Sequence, residues 1–484
     1  MTSIMAKAAE AAETMRRGGG IGYDFSALRP KGERIKTLDS RASGPVSFMA
    51  IYDAVCQTIA SAGHRRGAQM GVLRVDHPDI ESFIRAKQNS DKLTGFNISV
   101  GVTDRFMQCL LNGEKFPLTF DGKIYDYIDP KRLWELIMRS TWDWAEPGVL
   151  FIDTINDYNN LWYAETIAAT NPCGEQPLPP YGACLLGSFN MVQYITTDKV
   201  TGQVYFNKSR LISDIPEVVR SMDNVIDRTV YPLPQQEAEA KSKRRMGLGV
   251  TGMANALERL GFRYGTPEYI QMQSQILATI NNGAYAASAH LAAEKGSFPL
   301  FDADKYLQGR FVQTLPQWVK NLIGDYGIRN SHLTSIAPTG TISLTADNVS
   351  SGIEPPFLHF YDRTIQTFDG PKIERVEDYA YREWGIEGRT ANETSAEEHV
   401  AVLAAAQKFV DSAVSKTCNV GDSVSFEEFA ELYTTGWKQG CKGLTTFRAS
   451  GKRFGIFAAV ENGNDDKVEA CTFDPATGIR TCEI

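Results

Sequence analysis

Asn171-Pro172-Cys173-Gly174-Glu175, continued by Gln176-Pro177-Leu178-Pro179-Pro180-Tyr181-Gly182-Ala183 and a second thiol at Cys184, is the stretch on which the reading of this chain turns. It gathers two thiols, a carboxylate and a carboxamide. A thiol carries a radical or an electron pair, a carboxylate takes a hydroxyl proton, and a carboxamide holds a sugar oxygen in place. Together they point to radical and redox chemistry on a polyol. The plain alternative for Cys173 is a buried structural thiol, the common fate of a lone cysteine.

Outside that stretch the composition is that of an ordinary globular chain: 484 residues, 43% hydrophobic and 22% charged, with a formal net charge of -8. The length allows several domains or one large barrel with excursions. The acidic balance argues against a nucleic-acid partner held on a basic face. The clusters His64-Arg65-Arg66 and Lys241-Ser242-Lys243-Arg244-Arg245 are short, each enough for one phosphate. No apolar run approaches the ~20 residues needed to cross a bilayer. Residues 1–17 read as an Ala/Glu-rich amphipathic helix without a signal-peptide core, so a cytoplasmic protein with no membrane partner is expected. The eight cysteines, at 56, 109, 173, 184, 418, 441, 471 and 482, contain no CxxC, and the histidines show no metal-ligand spacing; no disulfide scaffold and no metal site are expected. Cys56, Cys109, Cys418 and Cys441 sit in apolar contexts and read as packing residues.

Hydrophobic periodicity predicts helices near 3–17, 46–62, 130–145, 207–229, 266–294 and 397–415, and strands near 70–75, 96–102, 148–152, 183–189, 333–337 and 443–447, with a hairpin over 194–206. Alternation of this kind means α/β architecture. The chain divides into a body over 1–450 and a mobile, turn-rich tail over 451–484.

Three further segments carry chemistry. Pro338-Thr339-Gly340-Thr341-Ile342-Ser343 follows an apolar run and offers hydroxyls and a glycine at a helix start, suited to a phosphate or to a plain N-capping turn. Gly18-Gly19-Gly20-Ile21-Gly22, followed by Arg29, is either a close-approach backbone or a helix stop with a polar loop. The segment from Gly63 to Gly71, with Arg65, Arg66 and Gln69, suggests a pliable loop that contacts nucleotide. Gly247-Leu248-Gly249-Val250-Thr251-Gly252 has the spacing of a dinucleotide site but lacks a preceding buried strand, and reads as packing.

Eight stretches taken in order, GGGIGYDFSALRPKG from 18, ASGPVSFM from 42, HRRGAQMGVLRVDHPDI from 64, NPCGE from 171, RRMGLGVTG from 244, APTGTISL from 337, SGIEPPF from 351 and GCKGLTTFR from 440, give the chain a resemblance. It resembles the catalytic subunit of ribonucleotide reductase, most closely the adenosylcobalamin-dependent (class II) branch. The resemblance implies a ten-stranded α/β barrel with a central finger loop, and conversion of ribonucleoside diphosphates, less readily triphosphates, to 2′-deoxyribonucleotides. On it, Cys173 becomes a thiyl radical, Glu175 is the general base, Asn171 orients the ribose, and Cys184 delivers reducing equivalents. Gly19, Gly20 and Pro338, Thr339, Gly340, Thr341, Ile342 and Ser343 would hold substrate. Arg29, Arg65, Arg66 and Gln69, within effector elements spanning 23–71, would read a dNTP or ATP effector. Cys471 and Cys482 would form a redox tail served by a thioredoxin- or glutaredoxin-like protein; their plain alternative is two unrelated exposed thiols. A homodimer is compatible with the resemblance.

The departure is at the start. The family's first strand, with the cysteine that pairs with the one matching Cys184, is expected to be missing, because the chain opens on the helix that follows it. A complementing N-terminal chain, a start placed further upstream, or a nucleotide-binding remnant would each account for this. A catalytic subunit fed by a separate metal-radical protein is the alternative to adenosylcobalamin.

Overall fold

The computed structural model describes residues 1–35, 39–61, 65–88, 92–183, 185–367, 370–448, 451, 471–473 and 480–482. They fall into two compact units: residues 1–359 with 377–454, and residues 360–376 with 455–484.

The helices of the first unit start where their caps predict. Asp129, Asn207 and Thr266 accept hydrogen bonds from first-turn amides of Pro130–Trp144, Lys208–Arg228 and Pro267–Lys295. Ser395 with Glu398, and Ser425 with Glu428, form capping boxes for Ala396–Gln407 and Phe426–Lys438. Thr2–Arg16 ends at Gly18, whose φ of +91° belongs to the left-handed region that glycine tolerates.

Four parallel strands, Ile21–Asp24, Gln69–Arg74, Phe96–Val102 and Gly148–Phe151, lie side by side in that order. Gly443–Arg448 joins them antiparallel, and Thr417–Val420 pairs parallel with Gly443–Arg448. Val72, Val100 and Val149 are fully buried, as strands covered on both faces require. A second parallel pair is Leu186–Asn190 with Gly247–Thr251. Residues 333–336 connect the two groups through parallel bridges, Thr334 with Leu248 and Ile336 with Val414. Nine laterally ordered segments result. Among the described residues no pairing joins Ile21–Asp24 to Leu186–Asn190, so the array is a mixed α/β sheet system and not a closed ten-stranded barrel.

Three expectations need correction. The helix expected over 46–62 is Pro45–Thr58, and Ala60–Ser61 pairs as a strand with Arg65–Arg66. The helix expected over 397–415 stops at Gln407. Residues 411–415 are non-helical, bending at 411–412 and bridging at Val414, because Asp411 accepts the Leu333 and Thr334 amides and Ser412 donates its own to the Thr334 carbonyl, which satisfies the backbone outside a helix. The strand expected over 333–337 is made only of the single bridges at 334 and 336. The Gly247–Gly252 segment does prove to be packing: Gly247–Thr251 is a fully buried strand, and a Cβ on Gly249 would lie 2.2 Å from the Ser335 carbonyl oxygen.

In the second unit, Phe360–Thr367 pairs with Gly370–Glu377, the last residue of which belongs to the first unit. The strands Cys471–Phe473 and Arg480–Cys482 are antiparallel with Cys471 opposite Cys482. The remainder of the expected mobile tail, 452–470, 474–479 and 483–484, lies outside the described residues.

Candidate active site

Ala169–Thr170 and Pro177–Leu178 pair as a short antiparallel ladder, and residues 171–176 form its tip. The tip is closed from within. Asn171 and Gln176 pair through Asn171 N–H to Gln176 O, 3.0 Å, and the Asn171 Oδ1 accepts the Gln176 amide at 3.0 Å. Gly174 donates to Asn171 O and takes φ +85°, which explains a glycine between the thiol and the carboxylate.

The tip is held from two sides. On one, a Cβ on Gly22 would sit 1.9 Å from the Thr170 oxygen and one on Gly20 2.8 Å from Pro172 Cγ, so both glycines are required by close approach. Asn97 Nδ2 donates to Pro172 O at 2.9 Å. On the other, the Glu175 main-chain oxygen accepts Ala413 N–H at 3.0 Å and Ser335 Oγ–H at 2.9 Å. Both readings of the glycine run are therefore realised: Gly18 stops the helix, Gly19 packs on Thr14, and Gly20 and Gly22 admit the tip.

Cys173 is exposed and Glu175 is buried, at 2% exposure. Burial pushes the Glu175 carboxyl above the ordinary carboxylate range, against the opposing pull of a hydrogen bond from the Asn171 side chain. Its Oε2 is buried with no hydrogen-bond partner. A buried carboxyl with one oxygen to spare is suited to accept a proton from a hydroxyl brought against it. Cys184 lies outside the described residues, as do Gly63 and His64.

Residues 338–343 continue directly from the segment that holds Glu175. Thr339 adopts φ +54° ahead of the helix Gly340–Thr345 and makes no side-chain cap, because its hydroxyl bonds to Thr251 Oγ1 at 2.9 Å and to the Gly352 amide at 2.7 Å. Ser343 is buried, with its hydroxyl on Gly340 O and Ser351 Oγ. Gly340, Thr341 and Ile342 are exposed. The capping alternative therefore fails, and the Thr341 hydroxyl and the first-turn amides are the groups left facing outward.

The effector candidates differ in setting. Arg29 is exposed. Arg65 and Arg66 form one arm of a hairpin with Ala60–Ser61. Gln69 is not on that loop; it is buried at the head of a central strand, accepting Tyr23 O–H at 2.9 Å and donating to Tyr52 O at 3.2 Å. Cys56, Cys109, Cys418 and Cys441 are buried. Sequence reading missed Asn97, Ser335 and Ala413, which touch the tip through backbone or short polar groups and carry no motif of their own.

The body is a mixed α/β sheet framework that presents a thiol and a buried carboxyl on a hairpin tip. The chain belongs to the ribonucleotide reductase barrel-domain family, whose model matches residues 1–384 and 387–447. It is 36% identical over 479 residues to the vitamin B12-dependent ribonucleoside-diphosphate reductase of Mycobacterium tuberculosis (strain CDC 1551 / Oshkosh), covering 93% of this chain and 66% of that protein. It is 35% identical over 515 residues to the protein of the same name from Thermoplasma acidophilum, covering 97% and 64%. A ribonucleoside-diphosphate reductase subunit alpha of Chlamydia pneumoniae is 24% identical over 515 residues, covering 88% and 48%. The chain thus spans about two thirds of the length of the first two relatives. No helix among the described residues is long and apolar enough to cross a membrane.

Proposed function

We propose that this chain is the catalytic part of a ribonucleotide reductase acting on ribonucleoside diphosphates. The observation that carries the reading is the hairpin tip, where an exposed thiol at Cys173 stands beside a buried Glu175 carboxyl with an unpartnered oxygen. Cys173, as a thiyl radical, removes the ribose 3′ hydrogen atom and returns it at the end of turnover. Glu175 takes the 3′-hydroxyl proton, and Asn171 orients the sugar. The 2′-hydroxyl takes up a proton and leaves as water. The two electrons this reduction consumes come from Cys184 and a partner thiol, which finish as a disulfide. Adenosylcobalamin, when bound, supplies the radical that removes the Cys173 thiol hydrogen; an exposed sulfur fits an external radical source.

The outward-facing amides of residues 340–342 and the Thr341 hydroxyl hold the substrate phosphates, with Gly19 and Gly20 nearby. Arg29, Arg65 and Arg66 read the effector. Cys471 and Cys482 return electrons to the site and are themselves reduced by a thioredoxin-like protein. Directly opposed residues on antiparallel strands have Cα atoms about 4.5–5.5 Å apart, inside the span a disulfide needs.

The test is anaerobic incubation with a ribonucleoside diphosphate, an effector and dithiothreitol, with and without adenosylcobalamin, measuring deoxynucleotide. Product only with the cobalamin is expected. Equal product without it would overturn the cofactor assignment, and none in either tube would overturn the activity of this chain on its own.

A further inference from the structure

The seat of Glu175 rests on a buried polar assembly that the chemistry above does not use. Its main-chain oxygen is held by Ala413 and by Ser335, residues of two adjacent non-helical segments. Those segments are locked together by Asp411. The Asp411 carboxylate accepts Leu333 N–H at 2.7 Å, Thr334 N–H at 3.0 Å and Tyr285 O–H at 2.7 Å, while its own amide donates to Thr334 Oγ1 at 2.9 Å. Lys442 completes the lock from the strand side: its Nζ donates to Asp411 O and Ser412 O, both at 2.6 Å. Asp411, Ser412 and Lys442 are 1%, 4% and 3% exposed.

Two features mark Lys442 as more than filler. A buried ammonium is costly, and burial draws this one down to about 7. Its bonds to Asp411 O and Ser412 O go to main-chain carbonyls and not to a carboxylate, so what it fixes is the path of residues 411–412, immediately before the amide that holds Glu175.

We propose that Lys442 and Asp411 are positioning residues for the reaction: they set residues 411–413, and through the Ala413 amide they set the height of Glu175 and of the tip that carries Cys173. This rests on the reductase reading for its catalytic consequence, but the mechanical link to the tip stands on the hydrogen bonds alone. Residues 339–343 have anchors of their own, Thr339 on Thr251 and the Gly352 amide and Ser343 on Ser351, so loosening the seat is expected to move the base more than the groups at 340–343 and to lower kcat more than it raises KM. A displacement of about 1 Å at a reacting group is enough to cost on the order of 10²-fold.

The experiment uses the 484-residue chain carrying Lys442→Met, which keeps the bulk and removes the donor, and Lys442→Gln, which retains one. Removing the donor leaves the buried Asp411 and Ser412 carbonyl oxygens without it, so the melting temperature is expected to fall by a few degrees, about 2–8 °C, with the chain still folded at assay temperature. Two readouts follow. Amide hydrogen exchange of peptides covering 169–178 is expected to quicken about 10-fold in Lys442→Met, with the hairpin 195–206 unchanged as internal reference. In the deoxynucleotide assay, kcat is expected to fall by about 10- to 100-fold with KM within about 3-fold, and Lys442→Gln to recover part of it. Unchanged exchange at 169–178 would overturn the link to the tip, and quickened exchange with unchanged kcat would overturn its catalytic role. If wild type itself forms no deoxynucleotide, the reductase reading falls, while the exchange measurement still decides the positioning link.

Discussion

Glu175 and Asp411 are two buried carboxyls on either side of one hydrogen-bonded contact, and burial holds both above the ordinary carboxylate range. Their surroundings are opposite. Asp411 accepts two amides and a phenol, and its neighbourhood is finished without any visitor. Glu175 has its main chain anchored and its carboxyl left with a buried oxygen that nothing meets. A saturated carboxyl builds a framework; an unsaturated one at the same depth waits for a proton from outside the protein. Raised proton affinity alone would not separate the two, and the hydrogen-bond inventory does.

That contrast can be broken by substitution. The largest effect is expected on the open side: Cys173→Ala removes the sulfur and should abolish deoxynucleotide formation while equilibrium dialysis shows nucleotide still bound. Residual product would take the radical away from Cys173. Next, Glu175→Gln keeps the shape and loses the base, with kcat down about 10²- to 10⁴-fold in a product assay. On the closed side, Asp411→Ala orphans the Leu333 and Thr334 amides and the Tyr285 and Ser412 hydroxyls and should destabilise the chain by about 3 kcal/mol in urea titration, a figure in the range seen when a buried hydrogen-bond centre is removed. A loss at Asp411 no greater than that of a surface residue would erase the distinction.

The smallest effect concerns pH. A carboxyl whose folded-state pKa is raised binds its proton more tightly folded than unfolded, so its contribution is favourable in acid and is lost as pH climbs from the ordinary carboxylate range through the raised value. Wild type should therefore lose melting temperature relative to Glu175→Gln as pH is raised across that interval, and thermal scans at stepped pH would show it. A difference independent of pH would mean that Glu175 does not titrate above the ordinary range.

The starts of four capped helices were legible in the sequence to within a residue or two, because Asp129, Asn207, Thr266 and Ser395 are local signals, whereas the helix Phe426–Lys438 was not expected although Ser425 and Glu428 cap it in the same way. The end of the helix at Gln407 was not legible, since what stops it is the pull of amides at 333 and 334 on Asp411, dozens of residues away. The tip itself was marked in the sequence by Asn171, Cys173 and Glu175. Its supports were not, because Ala413 contributes only an amide, Ser335 only a hydroxyl to a main-chain oxygen, and Gly22 only the lack of a Cβ. Gln69 misled for the complementary reason: a polar residue beside two arginines looks like loop, whereas its amide is consumed by Tyr23 and Tyr52.

The two bonds on the Glu175 main-chain oxygen also have a consequence in time. One donor lies 160 residues further along the chain and the other, at 413, still later, so neither exists near the tip while the chain is being made. The hairpin can close early from its own local bonds, but its base is not seated until nearly the whole body has come together. A partly synthesised or clipped chain therefore carries Cys173 beside a Glu175 whose main chain is not yet seated, and the tip reaches its final geometry only when folding is all but complete.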